Sequence, residues 1–196
     1  MAEIVAETAR LVLRRELPGD LAVWLEHMNT PAVMGKVGGV QSPDKVAEAF
    51  ATMAGTAADG ALPFVFVALK ADGTLLGKCG LARIETPVAP ESLRGEAQIG
   101  WTLRADHWGR GYAREAAEAM LGLAFGRFDL ATLFAQTSER NLPSWRLMER
   151  LGMRRRADLD YPDPDYPPED NPTMIYQLDA GEWRTRTSAG AARADV

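Results

Sequence analysis

Residues 101–117 read Trp101-Thr-Leu-Arg-Ala-Asp-His-Trp-Gly-Arg-Gly-Tyr-Ala-Arg-Glu-Ala-Ala117. Just upstream, Glu96-Ala-Gln-Ile-Gly-Trp-Thr-Leu103 alternates polar and apolar residues, which predicts a strand with Ala97, Ile99, Trp101 and Leu103 on one face. Downstream, Ala113, Ala116, Ala117, Met120 and Ala124 recur at helical spacing. The stretch is therefore a strand, a short loop and a long helix. Gly109 and Gly111 lack a Cβ, so a ligand can come close to the backbone there. The first N–H groups of a helix have no intrahelical partner, and with the helix dipole they favour an anion such as a phosphate or diphosphate. Two glycines ahead of an amphipathic helix are equally compatible with a plain connecting loop. A P-loop would need Gly-Lys-Ser/Thr after its glycines, and a dinucleotide fingerprint would need a third small residue where Arg114 stands; neither pattern is met.

Working outward, residues 9–16 predict a first strand. Asp20 is the candidate cap of a helix to about Asn29, with Leu21, Trp24, Leu25 and Met28 on one face. The glycine-rich stretch 33–40 reads as a loop. Ser42 caps a second helix whose first residue is Pro43 and whose apolar face is Val46, Ala49, Phe50 and Met53. Strands at 63–70 and 75–85 flank the turn signal Asp72-Gly73. After the loop 86–95, the strand at 96–103 and the long helix come a strand at 131–138 and a helix from Asn141 to Leu151, with Gly152 just past its end. Residues 153–157 and 173–178 read as the last two strands, and the prolines of 161–168 exclude a central strand between them. The polar tail from about Arg184 is expected to be disordered. Strands and helices mix along the chain, so the fold class is mixed α/β, as one domain over residues 1–183.

Composition narrows the function. With 196 residues, 46% hydrophobic and 25% charged, the chain has an ordinary globular balance. A net charge of −5 argues against non-specific binding to nucleic acid. One cysteine, Cys79, and two histidines, His27 and His107, speak against a disulfide and a cysteine- or histidine-rich metal centre, so no metal is expected. No apolar run is long enough for a membrane helix, and the acidic start does not resemble a signal peptide; a cytoplasmic protein is expected. Monomer and homodimer both stay open.

Trp108-Gly-Arg-Gly-Tyr-Ala113 resembles the diphosphate loop Gln/Arg-x-x-Gly-x-Gly/Ala of the GNAT superfamily of acyl-CoA-dependent N-acyltransferases, with Trp108 in place of Gln/Arg. That replacement, Ile99-Gly-Trp101 before it and Asn141-Leu-Pro-Ser-Trp-Arg-Leu-Met-Glu-Arg-Leu-Gly-Met153 after it resemble the ribosomal-protein N-terminal acetyltransferase (Rim-type) branch, with Met153 for Phe. The resemblance spans about residues 9–179. It implies a mixed, mostly antiparallel sheet flanked by about four helices and splayed between its fourth and fifth strands, with acetyl-CoA as co-substrate in the gap. It assigns backbone contacts to pantetheine to Trp101 and Leu103, and diphosphate contacts to the N–H groups of Gly109, Arg110, Gly111, Tyr112 and Ala113.

The catalytic candidates divide less cleanly. Asn141 is either a plain helix cap or, as the resemblance implies, a CoA contact. Ser144 is either a first-turn helper or the hydroxyl that protonates the departing thiolate. Glu85 and Glu96, near strand ends, are candidates for the base that takes the amine proton, against the alternative of surface carboxylates and a relay through water. His107 sits too far toward the nucleotide end to act as base, His27 reads as a surface residue, and Cys79 as a small buried one. The run 158–170 holds six acids and no base; the resemblance places it beside the acceptor, where it would favour cationic amines. The implied activity is N-acetylation of an amine, foremost a protein or peptide N-terminus. The alternatives are a small amine, such as an aminoglycoside or polyamine, and a CoA-binding module without turnover.

Overall fold

A computed structural model describes residues 3–55 and 61–194. Its strands follow the order β1-β2-β3-β4-β5-β6-β8-β7; β1–β2, β2–β3, β3–β4, β6–β8 and β7–β8 pair antiparallel and β5–β6 parallel. These are β1 (Ile4–Glu7), β2 (Leu11–Arg14), β3 (Phe64–Leu69), β4 (Leu75–Arg83), β5 (Ala97–Leu103), β6 (Thr132–Thr137), β7 (Arg154–Arg155) and β8 (Met174–Asp179). The helices are α1 (Asp20–His27), α2 (Pro31–Met34), α3 (Pro43–Gly55), α4 (Tyr112–Phe125), α5 (Leu142–Leu151) and α6 (Ala180–Ala194). The mixed α/β class is the expected one. By its contacts the chain divides into two compact units, Met1–Ala82 with Ile99–Met120, and Arg83–Gln98 with Leu121–Val196.

In the first unit, β2 and β3 pair from Leu11↔Leu69 to Arg14↔Phe66, and β3 and β4 join through the Asp72-Gly73 turn. There the Asp72 carboxylate accepts from the Thr74 N–H at 2.9 Å and Gly73 has φ +76°. Trp24, Met28, Val46, Phe50, Phe66 and Leu75 form one buried cluster, with Leu21 and Leu25 against it. Ser42 caps α3 as expected, its hydroxyl accepting from the Lys45 N–H at 3.3 Å. Three readings need correction. The N-terminus contributes two strands where one was expected, because residues 4–7 pair back on β2. Part of the expected 33–40 loop begins in α2, capped by Thr30. Asp20 is the first helical residue and not the cap; its carboxylate is turned away and grips Arg14.

Lys78 in the middle of β4 is buried. Its Nζ lies 4.4, 3.8 and 4.8 Å from the ring centroids of Trp24, Phe50 and Phe66, and 3.2 Å from the Met53 sulfur. Burial pulls its pKa down to about 8, while the Glu16 and Asp20 carboxylates and the ring faces favour the charged form. The unfolded chain takes up this proton near pH 10.5 and the folded chain only near 8. Folding stability should therefore rise as pH increases from about 8 to 10.5 and stay flat, for this group, below 8. Lys78→Met should remove that segment of a stability–pH curve; an unaltered slope between pH 8 and 10 would contradict the assignment. Cys79, the next residue, is fully buried with its thiol pushed up to about 12, as befits a packing residue and not a nucleophile.

In the second unit, Ile84, Ala89, Leu93, Phe134, Tyr161 and Ile175 form the buried cluster. β6 and β8 pair over six residues, from Thr132↔Asp179 to Thr137↔Met174, while the parallel register at the start of β5 is the single pair Gln98↔Phe134. The expectation of a disordered tail from residue 184 is overturned for the described residues. The chain continues as α6, with the Trp183 ring 6.3 Å from that of Phe125 and the Arg186 guanidinium donating to the Arg150 carbonyl at 3.0 Å. Residues 195 and 196 of that tail, like residues 1 and 2, lie outside the described residues.

Candidate functional site

β5 runs through a short turn at Ala105–His107 into the loop ahead of α4. Gly109 and Gly111 have φ of +75° and +82°, backbone that a side chain rarely adopts. A Cβ built on Gly109 would meet no atom within 4 Å, so the conformation and not crowding calls for glycine there. The first helical bond is from the Glu115 N–H to the Gly111 carbonyl at 3.1 Å. The N–H groups of Tyr112, Ala113 and Arg114 precede it and are the orphan donors of the first turn. Gly109, Arg110 and Gly111 are exposed. This arrangement can hold a diphosphate, which would sit on backbone donors at the positive end of the α4 dipole.

Trp108 does something the sequence did not disclose. Its indole N–H donates to the Leu103 carbonyl at 2.8 Å, although the ring is half exposed. The tryptophan thus braces the loop against the end of β5, and the Leu103 carbonyl, on a residue expected to offer backbone contacts to pantetheine, has one donor within the chain. The Leu103 side chain is buried and Trp101 is half-buried. Arg104 beside them grips Asp106 with two bonds of 2.7 and 2.8 Å, which holds that carboxyl well below the ordinary range. Arg10, from the segment between β1 and β2, reaches the same loop: it bonds Glu115 on the first turn of α4 and the Arg110 carbonyl.

Asn141, Ser144, Glu85 and Glu96 belong to the second unit. Asn141 stands at the cap position of α5 but its side chain makes no capping bond; at φ −87° and ψ 56° its carbonyl takes the Ser144 N–H at 2.9 Å instead. The plain cap reading of its side chain is thereby corrected. Ser144 is half-buried on the first turn, and Glu85 and Glu96 are exposed. A chain of side-chain bonds starts where β5 meets β6. The Gln136 amide donates to Gln98 at 2.7 Å, and the Tyr161 hydroxyl donates to Gln136. Burial is the main cause that pushes the Tyr161 phenol up to about 12, which keeps it a donor.

The acidic run is partly offset by three arginines from outside it. Arg156 pairs with Asp158, Arg155 with Asp160, and Arg140 lies 3.7 and 3.6 Å from Glu169 and Asp170. Asp163 and Asp170 are buried, and Asn171 ties the loop together by donating to the Asp163, Tyr166 and Pro167 carbonyls.

A family model described as an acetyltransferase (GNAT) domain matches residues 10–154. The uncharacterised N-acetyltransferase YnaD of Bacillus subtilis is 40% identical over 60 residues, 31% of this chain and 35% of that protein. The chain aligns with about a third to a half of the length of the curated relatives it matches. An acetyltransferase structure from Agrobacterium tumefaciens superposes with a TM-score of 0.69 at 29% identity, covering 88% of this chain and 92% of that one. A spermidine N-acetyltransferase from Vibrio cholerae, solved with CoA and spermine, superposes with a TM-score of 0.70 over 90% of this chain and 99% of that one; at 18% identity this is a likeness of fold alone. No helix among the described residues is long and apolar enough to cross a membrane. With a glycine loop opening α4, the expected class of sheet and a family model over residues 10–154, the chain belongs to the GNAT acetyltransferase family.

Proposed function

We propose that the chain transfers an acetyl group from acetyl-CoA to a primary amine, foremost a protein or peptide N-terminus. The observation that carries this reading is the pair of left-handed glycines, 109 and 111, which bare backbone donors at the start of α4. On this reading Gly109, Arg110, Gly111, Tyr112 and Ala113 hold the CoA diphosphate, and Trp101, Leu103 and Asn141 contact the rest of the co-substrate. The Asn141 side chain has no capping duty, which suits a ligand contact. The neutral amine attacks the thioester carbonyl, the C–N bond forms, the C–S bond breaks, and the thiolate takes a proton from Ser144, whose oxygen regains one from the protonated base through solvent. Glu85 or Glu96 receives the proton of the amine, directly or through water.

The N-terminal acceptor rests on the resemblance of Trp108–Ala113 and of the Asn141–Met153 block to the Rim-type branch. A polyamine, the substrate class that the Vibrio cholerae protein's name carries, is the competing acceptor.

Thiol release from acetyl-CoA, measured across peptides with free N-termini and small amines, tests the proposal, with mass spectrometry locating the acetyl group. Acetylated N-termini are expected. Turnover on polyamines alone would replace the acceptor, and CoA binding without turnover on any amine would replace the enzyme by a binding module. Ser144→Ala should lower kcat by at most about 100-fold, since a thiolate is a fair leaving group, with the affinity for CoA unchanged. Full kcat in that variant would exclude the acid role.

A further inference from the structure

Glu115 poses an electrostatic problem. A carboxylate on the first turn of a helix normally complements the dipole, but here it stands beside the donors offered to a diphosphate and would repel it. The structure surrounds this carboxylate with donors from the other end of the unit's sequence. The Thr8 hydroxyl donates to Oε1 at 2.6 Å, the Arg10 backbone N–H to the same oxygen at 2.9 Å, and the Arg10 guanidinium to Oε2 at 2.6 Å. Partial burial would raise the Glu115 pKa, and these bonds outweigh it and hold the group below its ordinary value, ionised and paired. The guanidinium lies over the Tyr112 ring, 4.5 Å from its centroid, which fixes its plane.

From that position Arg10 makes one more bond, donating from Nη1 to the Arg110 carbonyl at 3.0 Å. The peptide between Arg110 and Gly111 is planar and trans, so its carbonyl and its N–H point in opposite directions. Fixing the carbonyl toward Arg10 turns the Gly111 N–H to the opposite side of the loop. We propose that Arg10 is a positioning residue for the diphosphate loop: it cancels the Glu115 charge and, through the Arg110 carbonyl, aims the Gly111 N–H at the diphosphate. This rests on the reading that Gly109–Ala113 binds CoA.

The test is calorimetric binding of CoA and of dephospho-CoA, which keeps the diphosphate and lacks the 3′-phosphate. Arg10→Gln should weaken both ligands by the same factor, about 10- to 100-fold, the range of one charge-assisted hydrogen bond. Adding Glu115→Gln to that chain should recover part of the loss by removing the stranded carboxylate, which a loss of general structure would not allow. Should Arg10→Gln not fold, Arg10→Lys carries the same test: an ammonium keeps the charge but cannot fork between Glu115 and the Arg110 carbonyl, and about a 10-fold loss is expected. Unchanged affinity in the variants, or no recovery in the double variant, would overturn the inference. A loss confined to CoA would make Arg10 a direct ligand of the 3′-phosphate and overturn it as well. Failure of the wild-type chain to bind either ligand would instead bring down the reading of the loop, and the inference with it.

Discussion

Gly109→Asp should weaken CoA binding about 100-fold more than Gly109→Asn does, a gap set by one negative charge a few ångströms from a diphosphate. The pair is chosen for the backbone. Asn and Asp are the side chains that best tolerate a positive φ, so both accept the +75° of Gly109 at similar strain. Both side chains also enter open space, since a Cβ at this position meets no atom within 4 Å. Size and conformation being matched, the difference between the variants reports the charge alone. Equal affinities for CoA in two folded variants would remove the diphosphate from this loop.

The largest effect on stability is expected at Asp20. Its side chain and that of Arg14 are only 7% and 10% exposed, and they are joined by two bonds of 2.7 and 2.9 Å. The same carboxylate accepts from the Leu17 N–H at 2.7 Å, so it also shapes the turn into α1. Asp20→Ala strands a buried guanidinium and a backbone donor together. Breaking a buried pair from one side costs about 3–5 kcal/mol, or about 10 °C in the thermal midpoint of a chain this size. Glu118→Ala is the control, because its pair with Arg114 is exposed on α4 and such pairs are worth under about 1 kcal/mol. A midpoint shift for Asp20→Ala no larger than the control's would show that the pair holds nothing.

The parts of the fold that the sequence disclosed are those governed by short-range rules. The change of period from two to 3.6 around Gly109 marked β5, the loop and α4, and Ser42-Pro43 and Asp72-Gly73 marked a helix start and a hairpin. What stayed hidden depends on partners far along the chain. Arg10 and Glu115 are 105 residues apart, and nothing in Thr8-Ala-Arg10 announces a contact with the first turn of α4. Asp20 has the residue type of a cap, and only the burial of Arg14 beside it decides the competition for its carboxylate. Nothing in the strand at 75–85 announces that Trp24, Phe50 and Phe66 surround the Lys78 ammonium. α6 has a polar sequence with no apolar stripe, and is fastened by Trp183 against Phe125 and by Arg186 against the end of α5.

The site divides the same way. Glycines advertise themselves because their role is conformational, and the loop was legible on that ground. Trp108 stood out as a departure from the superfamily's loop pattern, but its use as a brace for β5 required seeing the indole bonded to Leu103. The catalytic pair stays the least legible part, since Ser144, Glu85 and Glu96 are residue types that helices and loop ends use freely.

An amide-resolved NMR titration of the 15N-labelled chain with CoA tests the central claim most directly. The account predicts that the largest shifts fall on the N–H groups of Gly109 to Arg114, with smaller ones at Trp101 and Leu103. Saturable binding of CoA that leaves the amides of Gly109, Gly111 and Tyr112 unmoved would contradict it.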